Sequence, residues 1–152
     1  IMTTIIENVE ALPDYLGKDL EPTDWIEIKQ DRINMFADAT EDHQFIHVDP
    51  EAAKMTPFGT TIAHGFLTLS LAPMFWSQLY RVEGVKMGVN YGLNKVRFIN
   101  PVKVNSRVRG KGKIIALSEA AGGTQITFEM TIEIEGEDKP ACVAETISLI
   151  YT

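Results

Sequence analysis

An α+β fold, with a curved antiparallel sheet wrapped around one long buried helix, is what this 152-residue sequence predicts. Three observations carry the prediction. Residues 64–81 are apolar on nearly every side at their start, which marks a helix surrounded by protein. After residue 100 the pattern switches to alternating apolar and polar residues, the period-two signature of strands with one dry and one wet face. Turn-forming clusters then punctuate that half, at Gly122-Gly123 and at Gly136-Glu137-Asp138-Lys139-Pro140. One helix followed by successive hairpins is an α+β plan, and a sheet that curls about the helix buries its whole circumference.

The elements follow in order. The segment up to about Pro22 is broken by Pro13, Gly17 and Pro22, has no clean period, and is expected to wrap the surface or form short irregular turns. Trp25-Ile26-Glu27-Ile28 alternates as a short strand. Ile33, Phe36 and Ala37 fall at helical spacing within residues 30–39, so a short amphipathic helix is expected there. Asp49-Pro50-Glu51 starts a second helix: Asp49 can cap, Pro50 suits the first turn, and Glu51 favours the positive end. Pro57 and Gly59 keep it brief. Pro73 lies inside the long helix, removes a backbone donor, and is expected to kink it.

Residues 85–89 and 95–99 read as strands. Val102, Val104 and Val108 alternate with Lys103, Asn105, Arg107 and Arg109, and Ile126, Phe128, Met130, Ile132 and Ile134 alternate with polar residues. Residues 141–151 form a last strand. The sheet therefore has four or five strands, all but one after the helix, and its outer face or edge is a natural dimer surface. One domain, 1–152, accounts for the chain, with 1–22 as an irregular N-terminal segment; Ile1 ahead of Met2 reads as a remnant of expression.

A hydrophobic content of 45% and a charged content of 23% suit an ordinary globular domain with a substantial core. The net charge of -7 argues against a nucleic-acid partner. Cys142 is the only cysteine, which excludes an intrachain disulfide and a multi-cysteine zinc site and suits a reducing cytoplasm. No signal peptide is expected, because no basic segment precedes an apolar core and small-residue cleavage site. The most apolar run, 66–76, is too short for a membrane span and is interrupted by Thr68, Ser70 and Pro73. A cytoplasmic protein with no membrane partner is the expectation.

Asp42 and His47 bring a carboxylate and an imidazole together in Asp42-His43-Gln44-Phe45-Ile46-His47. Residues five apart on a straight helix point about 140° away from each other. The two converge only if the helix ends near Thr40 and the chain turns, and Asp42, Gln44 and Asp49-Pro50 all disfavour a continuous helix. A loop between two helices is a good platform for reacting side chains. The structural alternative has Asp42 capping a turn and His47 as a satisfied, partly buried histidine. His43 is expected to point the other way, toward the surface. His64 falls in the first turn of the long helix, where its ring can orient a loop. No His-x-x-x-His or similar pattern is present, so no metal is expected.

Gly65 opens the long helix, where N–H donors are unpaired and the dipole is positive. Lacking a side chain, it lets a ligand oxygen approach closely. Such a donor can stabilise the enolate-like charge that forms when a thioester is attacked at its β carbon. Equally, a glycine there permits close packing of helix on sheet. Lys103, Arg107, Arg109, Lys111 and Lys113 share one strand parity. A solvated outer face is the ordinary explanation; phosphate contact with coenzyme A is the lesser one, with Arg97 a second candidate for it.

Ala37-x-x-Thr40-x-Asp42-x-Gln44-x-x-His47, with Phe58-Gly59 and Ala63-His64-Gly65-x-Leu67, resembles the hydratase-2 motif of the MaoC-like (R)-specific enoyl-CoA hydratases. The stretch from Asn90 through Tyr91-Gly92-Leu93-Asn94-Lys95-Val96-Arg97 to Phe98 resembles that family's NodN-like branch. The resemblance runs from about residue 13 onward. It implies a hotdog fold, a homodimer, Asp42 and His47 as the catalytic pair, and the Gly65 N–H as the group that polarises the thioester carbonyl. The implied activity is reversible syn addition of water to a trans-2-enoyl-CoA, giving a (3R)-hydroxyacyl-CoA. Coenzyme A is then part of the substrate, and neither a metal nor a redox cofactor is needed. Gln44, His64, Phe66 and Arg97 are the substrate-contacting candidates, and Phe66, Met74, Phe75 and Trp76 would shape the acyl tunnel. Gln44-Phe45 stands where the family's common motif has Asn-Pro. Gln44 can keep an amide hydrogen bond, while loss of the proline relaxes the turn that aims His47. The rival readings are an acyl-CoA thioesterase of the same fold and a non-catalytic acyl-CoA-binding or dimerisation module.

Overall fold

The structure, a computed structural model, describes residues 2–152; Ile1 lies outside the described residues. Strand β1 (Thr4–Ile6) is followed by a 3-10 turn at Val9–Tyr15 and a two-residue strand β2 (Ile26–Glu27). Three helices come next: α1 (Gln30–Thr40), α2 (Phe45–Val48) and α3 (Pro50–Ala53). The central helical segment is α4 (Gly65–Ser70) and α5 (Ala72–Leu79), running into β3 (Tyr80–Val82). The long strands are β4 (Met87–Phe98), β5 (Arg107–Ala120), β6 (Gly123–Ile134) and β7 (Cys142–Tyr151).

The main sheet has the order β2-β5-β6-β7-β4, with every pairing antiparallel. Alternation along the strands sets its dry face. Val108, Ile114, Ile126, Phe128, Met130, Ile132 and Ala144 are buried and pack in one core with Leu67, Leu71, Ala72, Phe75 and Leu79 of the central segment. Each Val, Leu, Ile, Phe or Met among them contributes about 1.5–3 kcal/mol by leaving water. Helix α5 comes close to β5 because Gly110 has no side chain: a Cβ there would lie 2.6 Å from Phe75 Cγ. The Asp49 carboxylate caps α3 by accepting from the Ala52 N–H at 3.1 Å, and Pro50 sits in that helix's first turn.

The long helix expected over 64–81 is two helices. Leu71 (φ -79°, ψ -11°) separates them, and its N–H reaches back to the Thr68 carbonyl at 3.2 Å in a tightened turn. Pro73 occupies the first turn of α5, where a missing N–H is tolerated. Its ring would press on the carbonyl four residues back, so the chain adjusts ahead of it and the break falls at Leu71, not at Pro73. The helical segment also ends at Leu79. Tyr80–Val82 pairs in parallel with Thr4–Ile6, so part of the irregular N-terminal segment is a strand. No local pattern announces a pairing across more than seventy residues.

Two strand expectations change as well. Residues 85–89 and 95–99 belong to one strand, β4, whose pairing with β7 shifts register between Asn90 and Gly92 and again between Leu93 and Val96. Residues 102–106 are not a strand. Asn105 has φ +69° and Ser106 N–H donates to the Lys103 carbonyl at 3.0 Å, a turn that takes Lys103 off the cationic stripe. Three of the remaining four meet acids: Arg107 pairs with Glu135 at 2.9 Å, and Arg109 and Lys111 pair with Glu133 at 2.8 and 3.2 Å. The Arg109 guanidinium also lies 4.4 Å over the Trp25 ring. A solvated, charge-paired outer face accounts for these cations.

Nor is the helical segment enclosed all round. Phe66, Ser70, Pro73 and Ser77 are exposed along one face, with Phe66 at 68%. Beside it runs β4, the sheet's edge, which exposes Met87, Val89, Tyr91 and Leu93. Among the described residues no helix is long and apolar enough to cross a membrane.

Candidate active site

The site begins where α1 stops. Glu41 takes a left-handed conformation (φ 62°, ψ 22°), which ends the helix at Thr40 and turns the chain out through residues 42–44. This is the turn that lets Asp42 and His47 converge. A side chain in that backbone region costs about 1–2 kcal/mol. Glu41→Gly is accordingly expected to raise unfolding stability by roughly 0.5–1 kcal/mol, after the greater freedom of an unfolded glycine is deducted. Urea denaturation measures it, and a fall in stability would contradict the assignment.

His47 lies in the single turn of α2 and is buried. Its Nδ1 is 2.7 Å from the Ile62 carbonyl oxygen. A carbonyl only accepts, so Nδ1 carries the proton and Nε2 keeps its lone pair in the neutral ring. Burial pushes the His47 pKa below its ordinary value of 6.5; the Ile62 hydrogen bond opposes this, nearby His64 adds to it, and Asp42 opposes it weakly. The ring is therefore neutral at neutral pH.

His64 stacks against His47 with ring centroids 3.8 Å apart and a tilt of 22°, and Phe36 closes its other side at 4.9 Å. Its Nε2–H donates to the Asp42 main-chain carbonyl at 2.9 Å, so the ring ties down the loop that carries the carboxylate. The buried Nδ1 of His64 has no protein partner among the described residues. Asp42 itself is exposed, and its Oδ1 makes only a long contact of 3.4 Å with the Gln44 N–H. Donor atoms of Asp42, His47 and His64 all lie within 4.8 Å of one another. Those three are the residues that could hold a metal, though tetrahedral zinc needs its ligand atoms about 3.4 Å apart.

His47 and Gly65 line one cavity of about 250 Å3, together with Phe58, Thr68, Phe98 and Asn100. The Gly65 N–H donates to no protein acceptor among the described residues. A Cβ at Gly65 would meet the Phe98 ring at 3.2 Å, so the packing reason for glycine is real and stands beside the chemical one. Helix α4 is six residues long, so charge stabilisation there comes from the amide itself more than from a long aligned dipole.

The remaining candidates are scattered. His43 is exposed and 2.9 Å from Asp38 Oδ1, away from the pair. Gln44 is exposed and makes no side-chain cap bond to α2, so the amide hydrogen bond expected of it is not formed there. Phe66 is exposed, edge-on to Phe98 at 6.0 Å, and Arg97 is exposed on β4. Phe75 faces β5 in the core and lines none of the three cavities beside the helical segment, which removes it from the tunnel set. Trp76, one position on, faces instead two grooves of about 570 and 450 Å3 between α5 and β4, and its Nε1–H donates to Thr146 Oγ1 at 3.1 Å. Met74 is half-buried against the core. Sequence reading missed the Ile62 carbonyl, Phe98 and Asn100. A main-chain oxygen leaves no mark in a sequence, and Phe98 reads there as a strand residue within the NodN-like stretch, with nothing to place it against Gly65.

A family model described as MaoC like domain matches residues 12–136. The chain belongs to the MaoC-like dehydratase family. This MaoC-like chain is 54% identical over 142 residues to 3-hydroxyacyl-thioester dehydratase Z of Mycobacterium tuberculosis (strain ATCC 25618 / H37Rv), covering 93% of the chain and 94% of that protein. It is 48% identical over 143 residues to Nodulation protein N of Rhizobium leguminosarum bv. viciae, covering 91% and 88%. The solved structure of the (R)-hydratase from A. caviae involved in PHA biosynthesis matches with a TM-score of 0.72 at 25% identity, over 88% of this chain and 94% of that one. The hotdog fold implied by the motifs is the fold observed, and the MaoC-like chain is a hydro-lyase.

Proposed function

We propose that this protein adds water reversibly to a trans-2-enoyl-CoA to give a (3R)-hydroxyacyl-CoA, with Asp42, His47 and the Gly65 amide as the reacting groups. At the coarser level it is a 3-hydroxyacyl-thioester dehydratase or hydratase. One observation carries the finer reading: the His47 ring, its Nδ1 proton committed to Ile62, shares a cavity with the unpaired Gly65 N–H while the Asp42 carboxylate stands beside it. The thioester carbonyl accepts from the Gly65 N–H. A water held between Asp42 and His47 gives a proton to the pair, at the free Nε2 of His47, as its oxygen bonds to C3. The C2=C3 electrons move toward the carbonyl, whose growing negative charge the amide stabilises. The pair then returns a proton to C2 on the same face, which makes the addition syn. Nothing in these steps draws on a redox cofactor, and coenzyme A enters as part of the substrate.

Crotonyl-CoA and longer enoyl-CoAs, assayed by loss of the conjugated thioester with chiral analysis of the product, test the reading. Failure to hydrate any of them, or release of free thiol in place of hydration, would sink it. A pH profile adds a second check. The His47 pKa lies below 6.5, so its free base persists through neutral pH, and kcat/KM is expected to fall on acidification with a midpoint under 6.5. A limb centred well above that value would assign the base elsewhere.

The reading includes a homodimer formed through β4. This long edge strand exposes a row of apolar side chains next to the open face of the helical segment, a combination that isologous pairing of two copies would cover. Light scattering is expected to give twice the chain mass for the wild type and a single chain for Leu93→Glu. A monomeric wild type would refute it.

A further inference from the structure

We infer that Gln30 is a positioning residue for this reaction, a clamp that sets His47 from behind by gripping its main chain. The inference rests on His47 being the reacting base. Gln30 is the first residue of α1, seventeen positions before His47, and its side chain does not cap its own helix. Both polar atoms of its amide are engaged. Nε2 donates to the His47 carbonyl at 2.7 Å and to Asn34 Oδ1 at 2.9 Å, and Oε1 accepts from the Thr61 hydroxyl at 2.6 Å. The His47 carbonyl can only accept, which fixes which end of the amide faces it.

These contacts close a ring around the base. The His47 imidazole holds the Ile62 carbonyl, and the Ile62 N–H holds the Ile46 carbonyl at 3.0 Å. Thr61, completely buried and next in chain to Ile62, reaches Gln30, and Gln30 returns to the His47 carbonyl. Because α2 is one turn long, the carbonyls at its end have no helical donor, and Gln30 supplies one. Both ends of His47, ring and main chain, are thereby referred to the same short segment at 61–62. The Ile62 carbonyl selects the tautomer directly, while Gln30 holds the His47 main chain and, through Thr61, the segment that carries that carbonyl; losing such supporting contacts costs activity on the order of 10–100-fold.

The test compares wild type with Gln30→Met, which loses both arms of the clamp, and Gln30→Glu, which keeps an acceptor for Thr61 but has no donor for His47. Thr61→Val removes the far anchor, and Asn34→Ala serves as a control that leaves the His47 contact in place. Two readouts are taken: kcat and KM on crotonyl-CoA, and ring-nitrogen NMR of His47 in the substrate-free protein, assigned with His47→Gln. Gln30→Met and Gln30→Glu are expected to lower kcat about 10–100-fold with KM within about twofold of wild type. Both should replace the single Nδ1–H tautomer of His47 by a mixture, while Asn34→Ala changes neither readout. Wild-type kcat and an unchanged tautomer in the folded variants overturn the proposal, as does an equal loss in Asn34→Ala. So does failure of all three clamp variants to fold, which would make Gln30 a part of the fold alone. If the wild type hydrates no enoyl-CoA, the tautomer readout still decides the clamp, separately from the reaction assigned above.

Discussion

Hydration of crotonyl-CoA is expected to fall at least about 100-fold on replacing Asp42 by Asn or His47 by Gln, the usual scale for a positioned acid-base group. The Asp42→Asn change keeps the side chain's shape and removes its charge and basicity. Asp42 is exposed and its carboxylate's one hydrogen-bond contact is long, so folding is expected to be almost untouched. His47→Gln is more disruptive, because the Ile62 carbonyl loses its donor inside the protein. If the two residues share one water as proposed, the double variant is expected to lose little beyond the worse single one, the behaviour of groups that act as a unit. Circular dichroism and melting controls separate chemistry from unfolding. Near-normal turnover in both single variants, with the fold intact, would refute the pair.

Phe75→Ala is expected to bring the largest loss of stability, about 3–5 kcal/mol. Phe75 is completely buried, and its ring fills the space that Gly110 leaves in β5. Truncating it opens a cavity between helix and sheet at their close contact over Gly110. Gly110→Ala damages the same contact from the other side, since its new methyl would meet the ring at 2.6 Å. With the ring gone that methyl has room, so the double variant is expected to be less unstable than the two single losses added together. Urea unfolding at one fixed protein concentration measures the cycle, because any self-association shifts apparent stability. Strict additivity would show that the two residues do not meet.

Much of this molecule is legible without coordinates. The α1 pattern, the Asp49-Pro50 helix start and the alternation through 126–134 depend on interactions a few residues long, and each forms as the spacing predicts. So does the requirement that the chain turn just after Thr40. Asp42, His47 and Gly65 are visible as motif residues because the acid-base pair and the open amide proposed for the site need particular side chains, or the lack of one. Gln30 and the Ile62 carbonyl were invisible for the opposite reason. One is an ordinary polar residue at a helix start, and the other is a backbone atom every residue possesses; both matter only through what lies across from them.

By itself the sequence determined the α+β plan, the order of most elements, and the residue types available for acid-base work, all written in short-range periodicity, caps and turns. Tertiary structure alone decided the break at Leu71, the β1–β3 pairing, the merging of two expected strands into β4, and the division of Phe75 to the core and Trp76 to the grooves. Those choices turn on which distant surfaces meet and in what register. Such contacts are selected by packing of the whole chain, and no window of neighbouring residues contains them.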